Sequence, residues 1–219
     1  LKEPQAITPQ TYQALVDKFR ELNHLLDIAK KGSPVMSEQN PAAPYHDPEH
    51  ETLDLVDENG VRIGTATRDA CHSNPELLHQ AVHVFVFDRS GDKLLLQKRS
   101  KYKRIQPGRW DTSVGGHVDL GEEPLAAACR ETEEELGFQP EKGLLEPIHR
   151  YLWHSDIESE LISSYKYHYE GPFHFNENEI EQGRFFSFAE IEALALGGLL
   201  TPNLLHELKL LGWLSSPTY

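Results

Sequence analysis

Gly115-Gly116-His117-Val118-Asp119-Leu120-Gly121-Glu122, followed by Glu123-Pro124-Leu125-Ala126-Ala127-Ala128-Cys129 and then Arg130-Glu131-Thr132-Glu133-Glu134-Glu135-Leu136-Gly137-Phe138, is the stretch that decides the fold. Pro124 suits the first position of a helix and Gly137 its end. Glu131, Glu134 and Glu135 then stand at i, i+3 and i+4. At about 100° per residue they share one face. Like charges at these spacings repel by a few tenths of a kcal/mol per pair, and only Arg130 is basic there. Carboxylates gathered on one face suit a hard cation held by oxygens. They equally suit a solvated acidic face, and the helix alone leaves the two readings level.

The surrounding chain supplies strands. Thr52–Val56 and Val61–Thr67 flank a turn at Glu58-Asn59-Gly60, and His79–Asp88 and Lys93–Lys98 flank Ser90-Gly91-Asp92. Further strands are expected at Trp110–Val114, Leu144–Trp153, Ile162–Glu170 and Arg184–Phe186. Ser187 and Glu190 form a capping box for a helix to Leu196, and Thr201-Pro202 opens a last helix. Strands mixed with few helices, without regular alternation, indicate an α+β layered domain. Upstream, Thr8–Lys31 reads as a helix with Leu15, Phe19, Leu22, Leu25 and Leu26 at helical spacing. Pro34, Pro41 and Pro44 mark a linker after it. The expected organisation is an N-terminal helix and linker over residues 1–47 and one domain over 48–219. The apolar stripe of the helix must pack on its own domain or on a second copy, as in a homodimer.

The net charge of −14 argues against a nucleic acid polymer as partner, because affinity for phosphate backbones comes from Lys and Arg. It leaves a small phosphorylated substrate open, since a bound cation inverts the local field. No apolar run approaches membrane-spanning length. Cys71 and Cys129 form neither a disulfide framework nor a zinc motif, and they read as reduced thiols. With no secretory pattern near the start, a cytoplasmic protein is expected.

Gly116, five residues, Glu122, seven residues, then Arg-Glu-x-x-Glu-Glu-x-Gly-Phe resembles the Nudix box. Thr132 departs from it, standing where that family usually has an aliphatic residue. The resemblance implies a Nudix-type α/β/α sandwich with a mixed sheet, acting as a hydrolase of diphosphate bonds with Mg²⁺ (or Mn²⁺). It implies that Glu131, Glu134 and Glu135 bind the ion or assist the attacking water. Glu122 would support the metal shell, Arg130 would orient the glutamates, and Gly115 would offer its carbonyl. The substrate class is a small organic or nucleoside diphosphate.

Over about residues 51–210 the chain is similar to the Nudix branch of isopentenyl-diphosphate isomerase. That enzyme needs a cysteine before the Gly-His of this stretch, and Gly115 stands there. Its C-terminal Trp has no obvious counterpart in Thr201–Leu211. His72, His79, His117, Glu158 and Glu160 match its metal ligands in type and order, implying a second metal site. Such mixed ligands suit Mn²⁺ or Zn²⁺ better than Mg²⁺. Surface or core histidines without a metal are the competing reading, in a chain with 12 of them. Six of the twelve residues Lys98–Arg109 are Lys or Arg. The resemblance singles out Arg99 and Lys103 as diphosphate-binding, while the others read as a solvated loop. Tyr102, Trp110 and Tyr151 read as core or as pocket walls.

The leading expectation is therefore a diphosphohydrolase. An isomerase with altered chemistry is disfavoured by Gly115. An idle ligand-binding module is disfavoured by the intact set of Glu122, Glu131, Glu134 and Glu135.

Overall fold

The computed structural model describes residues 51–214, together with residues 13, 17, 18 and 20–27, which are helical. The rest of the expected 8–31 helix and the linker to residue 47 lie outside the described residues. Leu26 packs beside Gly197, against an apolar cluster of its own chain.

Nine strands form one mixed sheet. They are β1 (Thr52–Val56), β2 (Arg62–Thr67), β3 (Leu78–Phe87), β4 (Lys93–Arg99), β5 (Trp110–Asp111), β6 (Val114–His117), β7 (Glu146–His154), β8 (Ser159–His168) and β9 (Ile180–Ser187). Within residues 51–214 the α-helices are α1 (Arg68–Cys71), α2 (Pro124–Leu136), α3 (Phe188–Leu196) and α4 (Pro202–Leu210). The long β3 is the hub. It pairs antiparallel with β1, β4 and β6, and parallel with β8 along its whole length.

Alternation along β3 sends neighbouring side chains to opposite faces. Val82, Val84 and Val86 pack with Ala127, Ala128 and Leu136 of α2. Phe85 and Phe87 pack with Ile191 and Leu194 of α3 and with Leu204 and Leu208 of α4. The sheet is thus covered on both faces, which makes the fold an α/β/α sandwich. Thr132 is fully buried in α2, and its hydroxyl donates to the Ala128 carbonyl at 2.6 Å. The β-branched residue fits the aliphatic position because the helix backbone satisfies its one polar group.

Two expectations are corrected and one element is new. The strand expected over Trp110–Val114 is two strands, β5 on β4 and β6 on β3. Between them, Ser113 Oγ donates to the Leu95 carbonyl and accepts from Val86 N, bridging the gap with a side chain. The short helix α1 went unforeseen. Thr67 caps it, but four residues carry no helical period. β9 starts at Ile180, four residues before the expected start at Arg184.

Candidate active site and metal centres

A cleft of about 440 Å³ opens along the ends of β3, β6 and β8. Glu131, Glu134, Arg130 and Gly116 line it on one side, His72, His117, Glu158 and Glu160 on the other, with Arg99 and Lys103 at its rim.

The box side is organised by Arg130. Its guanidinium donates to Glu131 at 2.7 Å, Glu134 at 3.2 Å, Glu122 at 2.9 Å and the His117 carbonyl at 2.9 Å. Glu122 accepts from Arg130 with both oxygens and from Asp119 N. In this arrangement Glu122 holds the arginine rather than lining the cleft. Glu135 is 4% exposed and accepts from Gln97 Nε2 at 2.9 Å and Gly115 N at 3.3 Å. A Cβ on Gly116 would lie 2.0 Å from the Glu131 carboxyl carbon. Only glycine lets that carboxylate approach the strand so closely. Gly116→Ala should push Glu131 aside and cut turnover while leaving the melting temperature within a few degrees. A large drop in melting temperature with turnover intact would contradict this placement.

Burial pushes the Glu131 carboxyl up to about 7, with Arg130 opposing and Glu134 and Glu179 adding to it. Burial also raises Glu135 well above the carboxylate range, helped by Glu179 and Glu131. Glu179, just before β9, is a site residue that sequence reading missed. It lines the cleft and bonds Lys103 Nζ at 2.7 Å. It lies far along the chain from the box, so only the fold brings it near.

On the opposite side, His72, His79 and His117 present ring nitrogens within 4.8 Å of one another. His72 Nε2 is 3.0 Å from His117 Nε2 and 3.7 Å from Glu158 Oε2. Glu160 Oε1 is 3.8 Å from His79 Nε2 and 3.9 Å from His117 Nε2. The structure therefore brings all five residues together. Parallel pairing of β3 with β8 sets His79 directly beside Glu160, and the β3–β6 ladder ends at His117. His79 Nε2 is buried without a hydrogen-bond partner, the condition of a nitrogen whose partner is an ion. Burial pushes the His79 imidazole down to about 4 and His117 well below its ordinary range. Neutral imidazoles are the form that ligates metal. Burial and then Glu158 push Glu160 up to about 8. The donor set fits a divalent ion.

These shifts set a pH dependence. A carboxyl raised in the fold stabilises at low pH and loses that contribution as pH rises through its folded value. A depressed histidine has the opposite slope, but its effect is complete above 6.5. Between about pH 6.5 and 8 the Glu131 and Glu160 terms therefore act downward. The metal-free protein should lose thermal stability across that window. Added Mg²⁺ or Mn²⁺ should restore more the higher the pH. Equal melting temperatures at both ends without metal would contradict these assignments.

Arg99, on β4, donates to Asp111 Oδ2 at 2.9 Å and to the Ile105 carbonyl at 3.1 Å. Much of the remaining basic stretch is engaged away from the box glutamates, Lys98 with Glu181, Arg104 with Asp69, and Arg109 with the Leu200 carbonyl. Two of the three aromatics are core, as one of the two readings had it, and the third is not. Trp110 is core against Phe186 and Tyr151 is buried, while Tyr102 is exposed beside Lys101. Trp153, not singled out in the sequence, lines the cleft. Trp213 packs edge-on against Phe85 and Phe87 in the core.

Residues 77–207 match the NUDIX domain family, more than half of the chain. This chain is a Nudix protein. It is 52% identical over 88 residues to an isopentenyl-diphosphate Delta-isomerase of Streptomyces griseus, covering 40% of this chain and 44% of that one. To Nudix hydrolase 3 of Arabidopsis thaliana it is 39% identical over 103 residues, covering 47% of this chain and 13% of that one. The chain spans about half the length of the Streptomyces isomerases it matches. Among solved structures, DR0079 from Deinococcus radiodurans is similar with a TM-score of 0.62 and 25% identity, covering 73% of this Nudix chain and 98% of that one. The protein thus belongs to the isomerase-like branch of the Nudix family, whose members are generally dependent on divalent metal. Among the described residues, no helix is long and apolar enough to cross a membrane.

Proposed function

We propose that this Nudix protein is a divalent-metal-dependent hydrolase of a diphosphate bond in a small organic or nucleoside diphosphate. The observation that carries the reading is the pairing of a complete box with a missing thiol. Glu131 lies against Gly116, Glu135 accepts from Gly115 N and Glu134 shares Arg130 with Glu131, while Gly115 occupies the position at which the isomerase needs cysteine. A glycine neither delivers nor removes a proton at carbon.

Glu131, Glu134 and Glu135, with the Gly115 carbonyl, would hold Mg²⁺ or Mn²⁺. When bound, the ion neutralises diphosphate oxygens and eases deprotonation of water. Arg130 keeps the glutamates in place, Gln97 fixes the Glu135 carboxylate, and a buried glutamate accepts the proton of the attacking water. Arg99 and Lys103 orient the terminal phosphates by charge-assisted hydrogen bonds. His72, His79, His117, Glu158 and Glu160 would hold a second ion, Mn²⁺ or Zn²⁺ by donor chemistry. Metal analysis after dialysis against Mn²⁺ should find that ion at the cluster, and His117→Ala should lower the content. Unchanged content in the variant would remove the second centre.

Double-bond isomerisation of a five-carbon diphosphate is the second reading. It is favoured by the names of the Streptomyces relatives and by the histidine cluster. The deciding experiment is phosphate release from a panel of diphosphates with and without Mg²⁺. Release that needs the ion supports hydrolysis. No release from any member would overturn it. An expected cytoplasmic location remains part of the same proposal.

A further inference from the structure

The cleft has a wall that neither the box nor the histidine cluster uses. Trp153 stands on β7 directly opposite Glu160 of β8, so its side chain shares a sheet face with that glutamate. Tyr151, two residues earlier, points to the same face. α4 covers these two rings. Its His206 ring lies 5.4 Å from the Trp153 ring and 5.7 Å from the Tyr151 ring, centroid to centroid. About one turn earlier, Asn203 Oδ1 accepts from the Tyr151 hydroxyl at 2.9 Å. Asn203 and His206 stand at i and i+3, on one side of the helix. Trp153 also packs beside Ala81 and Ile162. The indole is thus braced from behind, yet it is only half-buried and lines the cleft.

The chemistry this wall would take follows from its place and its polar groups. Thr201 Oγ1 and Arg99 Nη1 hold the two oxygens of Asp111, at 2.7 and 2.9 Å. One carboxylate thus joins Arg99 to the start of α4. A diphosphate held at Arg99 would have its organic group within reach of Asn203 and Trp153, which line the same cleft. The Asn203 amide has two polar ends, and Tyr151 occupies one of them. With Oδ1 on the hydroxyl, two N–H donors remain; turned over, the amide leaves its oxygen. Among the described residues nothing else bonds that side chain. In both orientations one polar end is left to the cleft. An apolar chain laid over it would strip its water and return no hydrogen bond. A flat ring with donors and acceptors at its edge satisfies either end, and its face suits the Trp153 indole.

We propose that Trp153 and Asn203 are specificity-determining residues, selecting a diphosphate whose organic group is a flat ring with hydrogen-bonding groups at its edge over one with an apolar chain. This rests on the diphosphate reading above. The test titrates probes that are not hydrolysed into Mg²⁺-loaded wild type, Trp153→Leu and Asn203→Leu. They are methylenediphosphonate, the α,β-methylene diphosphates of adenosine and uridine, and isopentenyl methylenediphosphonate. In wild type the better nucleoside probe should bind about tenfold or more tighter than the isopentenyl probe, which leaves an amide end unpaired. Each substitution should shrink the affinity ratio of that nucleoside probe to methylenediphosphonate about tenfold. The Trp153 indole ¹⁵N–¹H signal should move with the nucleoside probe and stay put with methylenediphosphonate, which a purely structural tryptophan would not show. Should the variants fail to fold, the wild-type ranking and that signal decide alone. An isopentenyl probe that binds as tightly as the better nucleoside probe, a ratio unchanged in the folded variants, or an indole signal that never moves overturns the proposal. Binding of none of the probes removes it together with the diphosphate reading. If wild type cleaves no diphosphate yet ranks the probes as expected, the hydrolase reading fails while the specificity wall stands.

Discussion

Glu135→Gln should lower metal-dependent phosphate release by about 10²–10³-fold, the usual cost of removing one preorganised charge-stabilising group. The fold should survive. Glu135 is nearly fully buried, held by Gln97 Nε2 and Gly115 N. An amide keeps the shape, but its nitrogen cannot replace an anionic oxygen toward a cation. Burial already strains the charged form of Glu135, together with repulsion from Glu179 and Glu131. Removing that charge should therefore hold or raise the melting temperature of the metal-free protein. Turnover near wild type in a folded variant would show that the metal lies elsewhere.

Arg99→Ala should raise KM about ten- to a hundredfold with a smaller change in kcat. A lost charge-assisted hydrogen bond is worth about 1.5–3 kcal/mol, and a contact made equally in ground and transition states acts on KM. Part of the effect will come through Asp111, which loses its 2.9 Å partner. Lys101→Ala is the internal control. That residue is exposed and lies over the Tyr102 ring, outside the cleft. Equal small effects of both substitutions on one substrate would mean that the basic stretch serves only structure.

Much of this was legible in the chain. Pro124 and Gly137 bounded α2 where the structure has it, and the box spacing named its glutamates because a helix converts spacing directly into a face. The order of the histidine and Glu-x-Glu residues anticipated which side chains meet. Glu160 lies in β8 and Glu158 just before its first residue, and both carboxylates reach the histidines. What stayed hidden depends on contacts across the sheet. Glu179 reaches the box through the turn before β9, and Glu207 reaches His83 from a helix 124 positions along the chain. Neither residue carries a local pattern. Trp153 reads as one more aromatic in a strand until the cleft shows which wall it occupies.

Nuclear magnetic resonance in D₂O, on one set of diphosphates that includes isopentenyl diphosphate, tests hydrolysis against isomerisation most directly. Phosphorus signals follow cleavage of the diphosphate, and deuterium in the carbon skeleton follows isomerisation. The prediction is cleavage of at least one member, only with Mg²⁺ or Mn²⁺ present, and no deuterium in the five-carbon chain. Deuterium incorporation with every diphosphate intact would contradict it.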